Sequence, residues 1–404
     1  KSRLLPALPG RGEIPPAACA SLSVASTVTA NGACEPVGGN RIRLLTTGEI
    51  TYAALEEEIN RARTHIHITA FIIGRDDTGR RIIKLLARRA KDGVKVRLLL
   101  DSVGCMFLSR DFLHPLRKAG GEIQWFMPVL PFTSRGSANL RNHRKIAVFD
   151  HATAIVGGHN LAREYMGPTP LKKRWADFSA VIAGPAAALL NEVFIADWCF
   201  ASKQSADALH AEIPVAEALQ PRGDSELQVV ASGPDVPGDP LYEGILAMIQ
   251  GTDRSLTIIT PYFIPDEVLQ RTLIVKARAG RAVTLIVPAR SNHPVTDFAR
   301  RHFLRELREA GVRIMLHGPG MMHSKAILVD DRLALFGSPN FDLRSLFLNF
   351  EIAVLVHSQP DVLAMKAWVE TLLRSCRPAG DLPRKSRLWG NILEDLSRLL
   401  APLL

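Results

Sequence analysis

Apolar positions along this chain switch between two periods. Residues 41–45, 66–73 and 94–100 are short apolar runs of strand length. Residues 52–63 have helical spacing instead, with Ala53, Leu55 and Ile59 as the expected buried face, and 79–91 read as a basic amphipathic helix. Strands alternating with helices predict a layered α/β fold. Residues 1–40 are rich in Pro, Gly, Ala and Ser and read as an irregular or partly helical lead-in.

The pattern then repeats. Ile68-Thr69-Ala70-Phe71 corresponds to Ile259-Thr260-Pro261-Tyr262, and Gly93-Val94-Lys95-Val96 to Gly280-Arg281-Ala282-Val283. Asp177-Phe178-Ser179-Ala180-Val181-Ile182 corresponds to Glu351-Ile352-Ala353-Val354-Leu355-Val356. An internal duplication is therefore expected, with repeats at 41–200 and 226–377, a Pro- and Gly-containing linker at 201–225, and a basic amphipathic segment at 378–404.

Each repeat carries one titratable pair at the same place. His143-Arg144-Lys145 leads an apolar strand to Asp150, and Gly157-Gly158-His159-Asn160 follows; His323-Ser324-Lys325 leads one to Asp330, followed by Gly337-Ser338-Pro339-Asn340. The first Gly lies 14 residues after the His in both copies. Residues two apart on a strand share a face, so each His and Lys project together. The Asp, seven residues on, faces the other way on an unbroken strand, which reads as structural. Asp330-Asp331-Arg332 reads as a hairpin turn whose return strand brings Ser338 and Asn340 beside His323. His65 and His67 also share a strand face, but no third ligand is placed near them for a metal.

Composition narrows the partners. The 404 residues suit two domains, and 47% hydrophobic content suits large cores. A net charge of +10 favours an anionic partner, either nucleic acid or an anionic membrane surface. Aromatic content of 6% leaves little for base stacking. Five cysteines, odd in number, widely spaced and without C-x-x-C, exclude a disulfide framework and a zinc site, and suit a reducing compartment. There is no apolar run of membrane-spanning length, though the chain begins at Lys1 and the native protein is free to extend upstream. The interval from Phe126 to His143 is 11 residues longer than its counterpart and holds Met127-Pro128-Val129-Leu130-Pro131-Phe132 with Arg135 and Arg141. It reads equally as a loop dipping into lipid or as a packed surface loop. The stretch 389–404 has Leu and Ile at helical spacing beside Trp389 and basic residues, the pattern of an interfacial helix or of one docked on the protein.

Two histidines and two lysines around one anion point to phosphoryl chemistry. A neutral imidazole attacks phosphorus, and a protonated one donates to the leaving oxygen. Lys145 and Lys325, with Asn160, Asn340 and Ser338, would hold the non-bridging oxygens. The lysines supply the positive charge, so no metal or other cofactor is expected. No Walker loop, HExxH or GxSxG motif occurs.

These paired His-x-Lys-x4-Asp motifs resemble those of the phospholipase D superfamily. Arg141-Asn142-His143-Arg144-Lys145, Thr260-Pro261-Tyr262-Phe263-Ile264-Pro265-Asp266-Glu267 and the stretch from Asn340 to Glu351 narrow the resemblance to bacterial cardiolipin synthases. The resemblance implies two mixed β-sheets flanked by helices, related by a pseudo-two-fold with the active site between them. It counts Asp150 and Asp330 with the catalytic set and implies that Asp177 and Glu351, each downstream of a motif, orient the histidines. It further implies phosphatidyl transfer through a phosphohistidine: one phosphatidylglycerol donates, a second accepts, and cardiolipin and glycerol form. The symmetry of the motifs does not choose the attacking histidine; the resemblance favours His143, with His323 as general acid and then general base. Simple phospholipid hydrolysis is the alternative, and a nuclease a more distant one. Anionic phospholipid at the cytoplasmic face of the bacterial membrane is the expected partner, with no nucleic acid.

Overall fold

The computed structural model describes residues 22–128, 139–213 and 215–380. The apolar loop singled out at 127–132 falls largely outside these residues, and the segment 389–404 entirely so.

The first part of the chain runs α1 (Leu22–Ala30), β1 (Val37–Leu45), α2 (Gly48–Arg61), β2 (His65–Ala70), α3 (Asp77–Lys91), β3 (Lys95–Asp101), α4 (Arg110–Lys118), β4 (Glu122–Phe126), β5 (Ile146–Phe149), β6 (Thr153–Gly157), β7 (Ser179–Ala183) and α5 (Pro185–Ser202). Two short helices, α6 (Ala206–His210) and α7 (Val215–Ala218), lie in the expected linker. The second part runs β8 (Ser225–Ser232), α8 (Pro240–Gln250), β9 (Ser255–Ile259), β10 (Phe263–Ile264), α9 (Glu267–Arg278), β11 (Ala282–Pro288), α10 (Pro294–Glu309), β12 (Arg313–His317), β13 (Ala326–Val329), β14 (Leu333–Gly337), β15 (Phe341–Asp342), α11 (Leu343–Phe347), β16 (Glu351–Val356), α12 (Gln359–Leu373) and β17 (Cys376–Pro378).

The two halves read the same way outward from a shared seam. From β1 the order is β7-β6-β5-β2-β3-β4, and from β8 it is β16-β14-β13-β9-β11-β12. β1 and β8 pair antiparallel at Val37–Leu227 and Asn40–Ser225. The two mixed sheets therefore join into one of 15 strands, finished at one edge by β17. Asn40 secures the seam: its side-chain amide donates to the carbonyls of Val37 and Ser225, and its oxygen accepts from Ala186 N at 2.7 Å.

Helix α5 crosses the middle. It is apolar nearly all round and buried from Pro185 to Ile195, as expected for a helix covered on every side. Its Ala186, Ala187, Leu190 and Val193 share one core with Val229, Ile352 and Val354 of the second half.

Three expectations need correction. The lead-in is partly helical, through α1, but the first strand begins at Val37 rather than at Arg41. Although α1 precedes the first repeat, Val24 and Val28 pack into the core of the second, against Leu241 and Ile245. Ala53 is exposed. With α2 beginning at Gly48, capped by the Thr47 hydroxyl, its buried stripe runs through Thr51, Tyr52, Ala54, Leu55 and Ile59. Finally, β2 ends at Ala70, so Phe71 leaves the sheet towards the site.

Candidate functional site

Each motif histidine sits just ahead of a hairpin strand, on a segment zipped to the opposite repeat. His143 N donates to Phe350 O at 2.9 Å and Phe350 N to Arg141 O at 2.9 Å. Reciprocally, His323 N donates to Ala176 O at 2.7 Å and Ala176 N to Met321 O at 2.9 Å. Phe350 and Ala176 immediately precede the acidic residues Glu351 and Asp177. This zipping therefore delivers each acid to the other repeat's histidine.

The His–carboxylate pairs are crossed accordingly. His143 Nδ1 lies 2.9 and 3.0 Å from the two Glu351 oxygens, and His323 Nδ1 lies 2.7 Å from Asp177 Oδ2. An ionised carboxylate only accepts, so the Nδ1 proton points at it and leaves each neutral ring with an unprotonated Nε2. All four groups are buried. Sequence reasoning named the acids but not this exchange.

Burial pushes His143 down to about 4 against the pull of Glu351, with the Lys145 ammonium adding to the fall. Burial and then the Lys325 ammonium push His323 to about 3 against Asp177. Both resting imidazoles are therefore neutral. Burial opposes ionisation of Glu351 and Asp177, but the facing histidines and lysines outweigh it and hold both carboxyls well below their usual range. Burial lowers Lys145 to about 7 and Lys325 to about 8, against the carboxylates. Lys325 also acts on His143 and Lys145 on His323, so the two motifs share one electrostatic site.

The lysines are held close. Lys145 Nζ donates to His143 O at 2.6 Å and lies 5.2 Å from the Phe71 ring centre. Lys325 Nζ donates to the His323 carbonyl and sits 2.7 and 3.0 Å from the two ring nitrogens. Aromatic edges fix the imidazoles: Phe71 at 4.8 Å from His143, and Tyr165 and Trp175 at 5.1 and 5.6 Å from His323.

Asp150 and Asp330, expected in the catalytic set, are bound to backbone N–H groups rather than to the histidines. Both sit at hairpin turns with φ of 48° and 51°. The Asp150 carboxylate accepts from the backbone N of Arg63, Thr64 and His65 at 2.7–3.0 Å. Asp330 accepts from Asp253, Arg254 and Ser255 N at 2.7–2.8 Å. These N–H donors outweigh burial and hold both carboxyls low. Each directly follows the last residue of its strand, β5 or β13, at the end away from the histidine, where it ties the hairpin to the start of β2 or β9. Asp150→Ala is expected to lower unfolding free energy by about 1–3 kcal/mol, from orphaned backbone donors, while the folded fraction keeps its turnover. Denaturant unfolding beside kcat on the same sample checks this; a lost kcat with unchanged stability would return Asp150 to the catalytic set.

The glycine-containing turns differ for a steric reason. A Cβ at residue 158 would meet Asp177 Oδ1 at 2.1 Å, so Gly158 has no room for a side chain. At the equivalent position, the Ser338 hydroxyl donates to Glu351 Oε2. Ser338 thus supports His143 through Glu351, whereas the hairpin argument put it beside His323. Asn160 and Asn340 are both buried, each with an amide oxygen that has no partner, and Asn340 borders a cavity of about 260 Å³ together with His143, Tyr262, Asp342 and Arg344.

Sequence reasoning missed the lock that holds the first motif. Arg144, between His143 and Lys145, is 2% exposed on its side chain and pairs with Asp197 of α5. It also donates to the carbonyls of Glu351 and Ser232, both in the second repeat, at 3.0 Å. Asn142 Nδ2 reaches the other Asp197 oxygen at 2.8 Å. Ser324 at the matching position makes only one such bond, to Ala176 O at 3.2 Å. Nothing local marks Arg144 as buried, since it lies in the polar run Arg141-Asn142-His143-Arg144-Lys145. Asn349 was also missed; its amide donates to Glu351 at 3.3 Å.

A family model described as "Cardiolipin synthase, PLD-like domain" matches residues 55–198 and 245–373. The chain is 36% identical over 364 residues to "Cardiolipin synthase" of Geobacillus sp. (strain WCH70), covering 90% of this chain and 72% of that one. It is 34% identical over 372 residues to "Major cardiolipin synthase ClsA" of Bacillus subtilis (strain 168), covering 90% and 76%. In fold it is similar to the crystal structure of phosphatidylserine synthase from Haemophilus influenzae Rd KW20, with TM-score 0.69 at 16% identity over 90% of this chain and 95% of that one. Polyphosphate kinase from Porphyromonas gingivalis follows at TM-score 0.54 and 14% identity, covering 88% and 52%.

Proposed function

The chain belongs to the phospholipase D-like cardiolipin synthase family, and from that premise we propose that it moves a phosphatidyl group between two phosphatidylglycerol molecules. Cardiolipin forms and glycerol leaves. The observation that carries this reading is the crossed pair of buried His–carboxylate couples with two lysines in one site.

The charges suggest the order of events. With both lysines protonated, two carboxylates balance two ammonium groups, and both imidazoles are neutral. A phosphodiester brings one negative charge, which a proton on His323 cancels. His143 Nε2 then attacks phosphorus, the bond from phosphorus to the glycerol oxygen breaks, and His323 gives that oxygen its proton. In the second step the hydroxyl of another phosphatidylglycerol loses its proton to His323 and attacks phosphorus. The P–N bond breaks and His143 is restored. Lys145 and Lys325, with Asn160 and Asn340, hold the non-bridging oxygens as charge grows on them. Ser338 acts through Glu351 rather than on phosphate.

This reading places the protein on anionic phospholipid at the cytoplasmic membrane face, with no nucleic-acid partner. Among the described residues, no helix is long and apolar enough to cross a membrane.

Product analysis with phosphatidylglycerol vesicles tests the reaction. Cardiolipin and free glycerol in equal amounts are expected, whereas phosphatidic acid as the main product would make the enzyme a hydrolase. Activity is also expected to survive a divalent-metal chelator within about twofold, because the lysines supply the charge a metal would. Activity abolished by the chelator and restored by a divalent ion, with vesicle binding unchanged, would overturn the metal-free mechanism.

A further inference from the structure

The loop 102–109, between β3 and α4, holds apolar side chains out into solvent. Val103, Met106 and Phe107 are 38, 62 and 76% exposed, and Phe107 is the most exposed large apolar side chain among the described residues. Apolar groups held in water in this way mark contact surfaces.

The loop is built rather than loose. Asp101 accepts from Val103 N and Gly104 N at 2.9 Å, and Cys105 N and Leu108 N close turns at 3.0 and 2.9 Å. Cys105 is buried, and its thiol donates to Phe71 O at 3.3 Å. A Cβ at Gly104 would stand 2.0 Å from that same carbonyl, so the loop lies flat on Phe71. Phe71 in turn meets His143 edge-on and borders the cavity beside it. The exposed tip is therefore fixed to a residue of the catalytic wall.

Two other segments, adjacent in sequence to residues of the site, expose the same kinds of residue. Val295, 50% exposed, lies between His293 and Thr296, which line the cavity. Leu171, 45% exposed, is followed by exposed Lys172 and Lys173, and then by Trp175 beside His323. Exposed Arg110 directly follows the 102–109 loop, and exposed Arg75 lies four residues beyond Phe71; with Lys172 and Lys173 these cations outnumber the two exposed acids beside them in sequence, Asp77 and Asp111. Apolar tips among cations suit a surface that is apolar within and anionic outside.

We propose that the loop 102–109 is a membrane-seating lip, which inserts Met106 and Phe107 into an anionic phospholipid bilayer and sets the catalytic mouth against it. The choice of a lipid surface over a second copy rests on charge: a basic rim repels its own copy but attracts anionic headgroups. The proposal draws on the lipid-transfer reading only for what the mouth admits.

Co-sedimentation with phosphatidylglycerol vesicles tests it, alongside turnover of a short-chain phosphatidylglycerol kept below its micellar concentration. Met106→Ser/Phe107→Ser is expected to weaken vesicle binding about tenfold or more. Turnover of the monomeric substrate should stay within about twofold. Phe107→Trp should retain binding and gain a fluorescence component quenched by brominated lipid. Unchanged vesicle binding of the double variant would overturn the proposal. So would equal loss of binding and monomer turnover, which would make the loop a support for His143. Bound Phe107→Trp protein whose added fluorescence brominated lipid leaves unquenched would overturn it too. Self-association lost in the double variant would assign the lip to a second copy instead. Vesicle binding is read without turnover, so a lip that anchors an enzyme making no cardiolipin would sink the transfer reading and leave this one standing.

Discussion

Glu351→Gln is expected to lower turnover on the order of 10³–10⁴-fold, by disabling the histidine of the other repeat. The physical reason is the bond from His143 Nδ1 to Glu351 at 2.9 Å in a buried site. A carboxylate there fixes the Nδ1–H tautomer and stabilises the imidazolium-like nitrogen that forms on attack. A neutral amide does neither well. The crossed geometry gives this prediction a signature that a general loss of structure lacks. With a short-chain phosphatidyl ester of an acidic phenol, Glu351→Gln should show no burst of phenol and no covalent adduct. Asp177→Asn acts on His323 instead, and should keep the burst while slowing the second step. A burst retained in Glu351→Gln and lost in Asp177→Asn would mean that the roles of the two histidines are reversed.

His323→Asn should stall the enzyme after one chemical step. Glycerol is too basic to leave unprotonated, so turnover of phosphatidylglycerol should fall on the order of 10²–10⁴-fold, the usual contribution of a positioned acid. A phenol of low pKa leaves without help. The variant should then release one phenol per enzyme and stop, because the incoming alcohol still needs a base. The stalled protein should carry a phosphatidyl group on the peptide containing His143. His143→Asn should give neither burst nor adduct. Mass spectrometry of the peptides decides: an adduct on His323 in the His143 variant, with none on His143 in the reciprocal one, reverses the assignment and keeps the two-step mechanism.

Much of the site could be read in the chain because the chemistry sits in local patterns. His143 and Lys145 are two residues apart, as are His323 and Lys325, and that spacing survives in the fold although the regular strands begin only at Ile146 and Ala326. The duplication could be read for the same reason. Matching strands carry matching local sequence, and the two sheets have the same order outward from β1 and β8. The odd spacing to Asp150 and Asp330 already set them apart from the histidines, and their bonds to backbone N–H groups agree with the spacing rather than with the motif's catalytic reputation.

Contacts between the repeats could not be read. Periodicity says which face of a strand or helix is apolar, but not which distant segment covers it. Ala53 and Ala54 have the same side chain, and only the docking of α2 makes one exposed and the other buried. The sequence by itself determined the elements, their duplication and the pair of His-x-Lys motifs, because those depend on neighbours within a few residues. Tertiary structure alone decided that Glu351 serves His143, Asp177 serves His323 and Arg144 ties the first motif to the second repeat. Those bonds join residues 146–208 positions apart, and each exists only because one buried polar group had to find a partner on the opposite repeat.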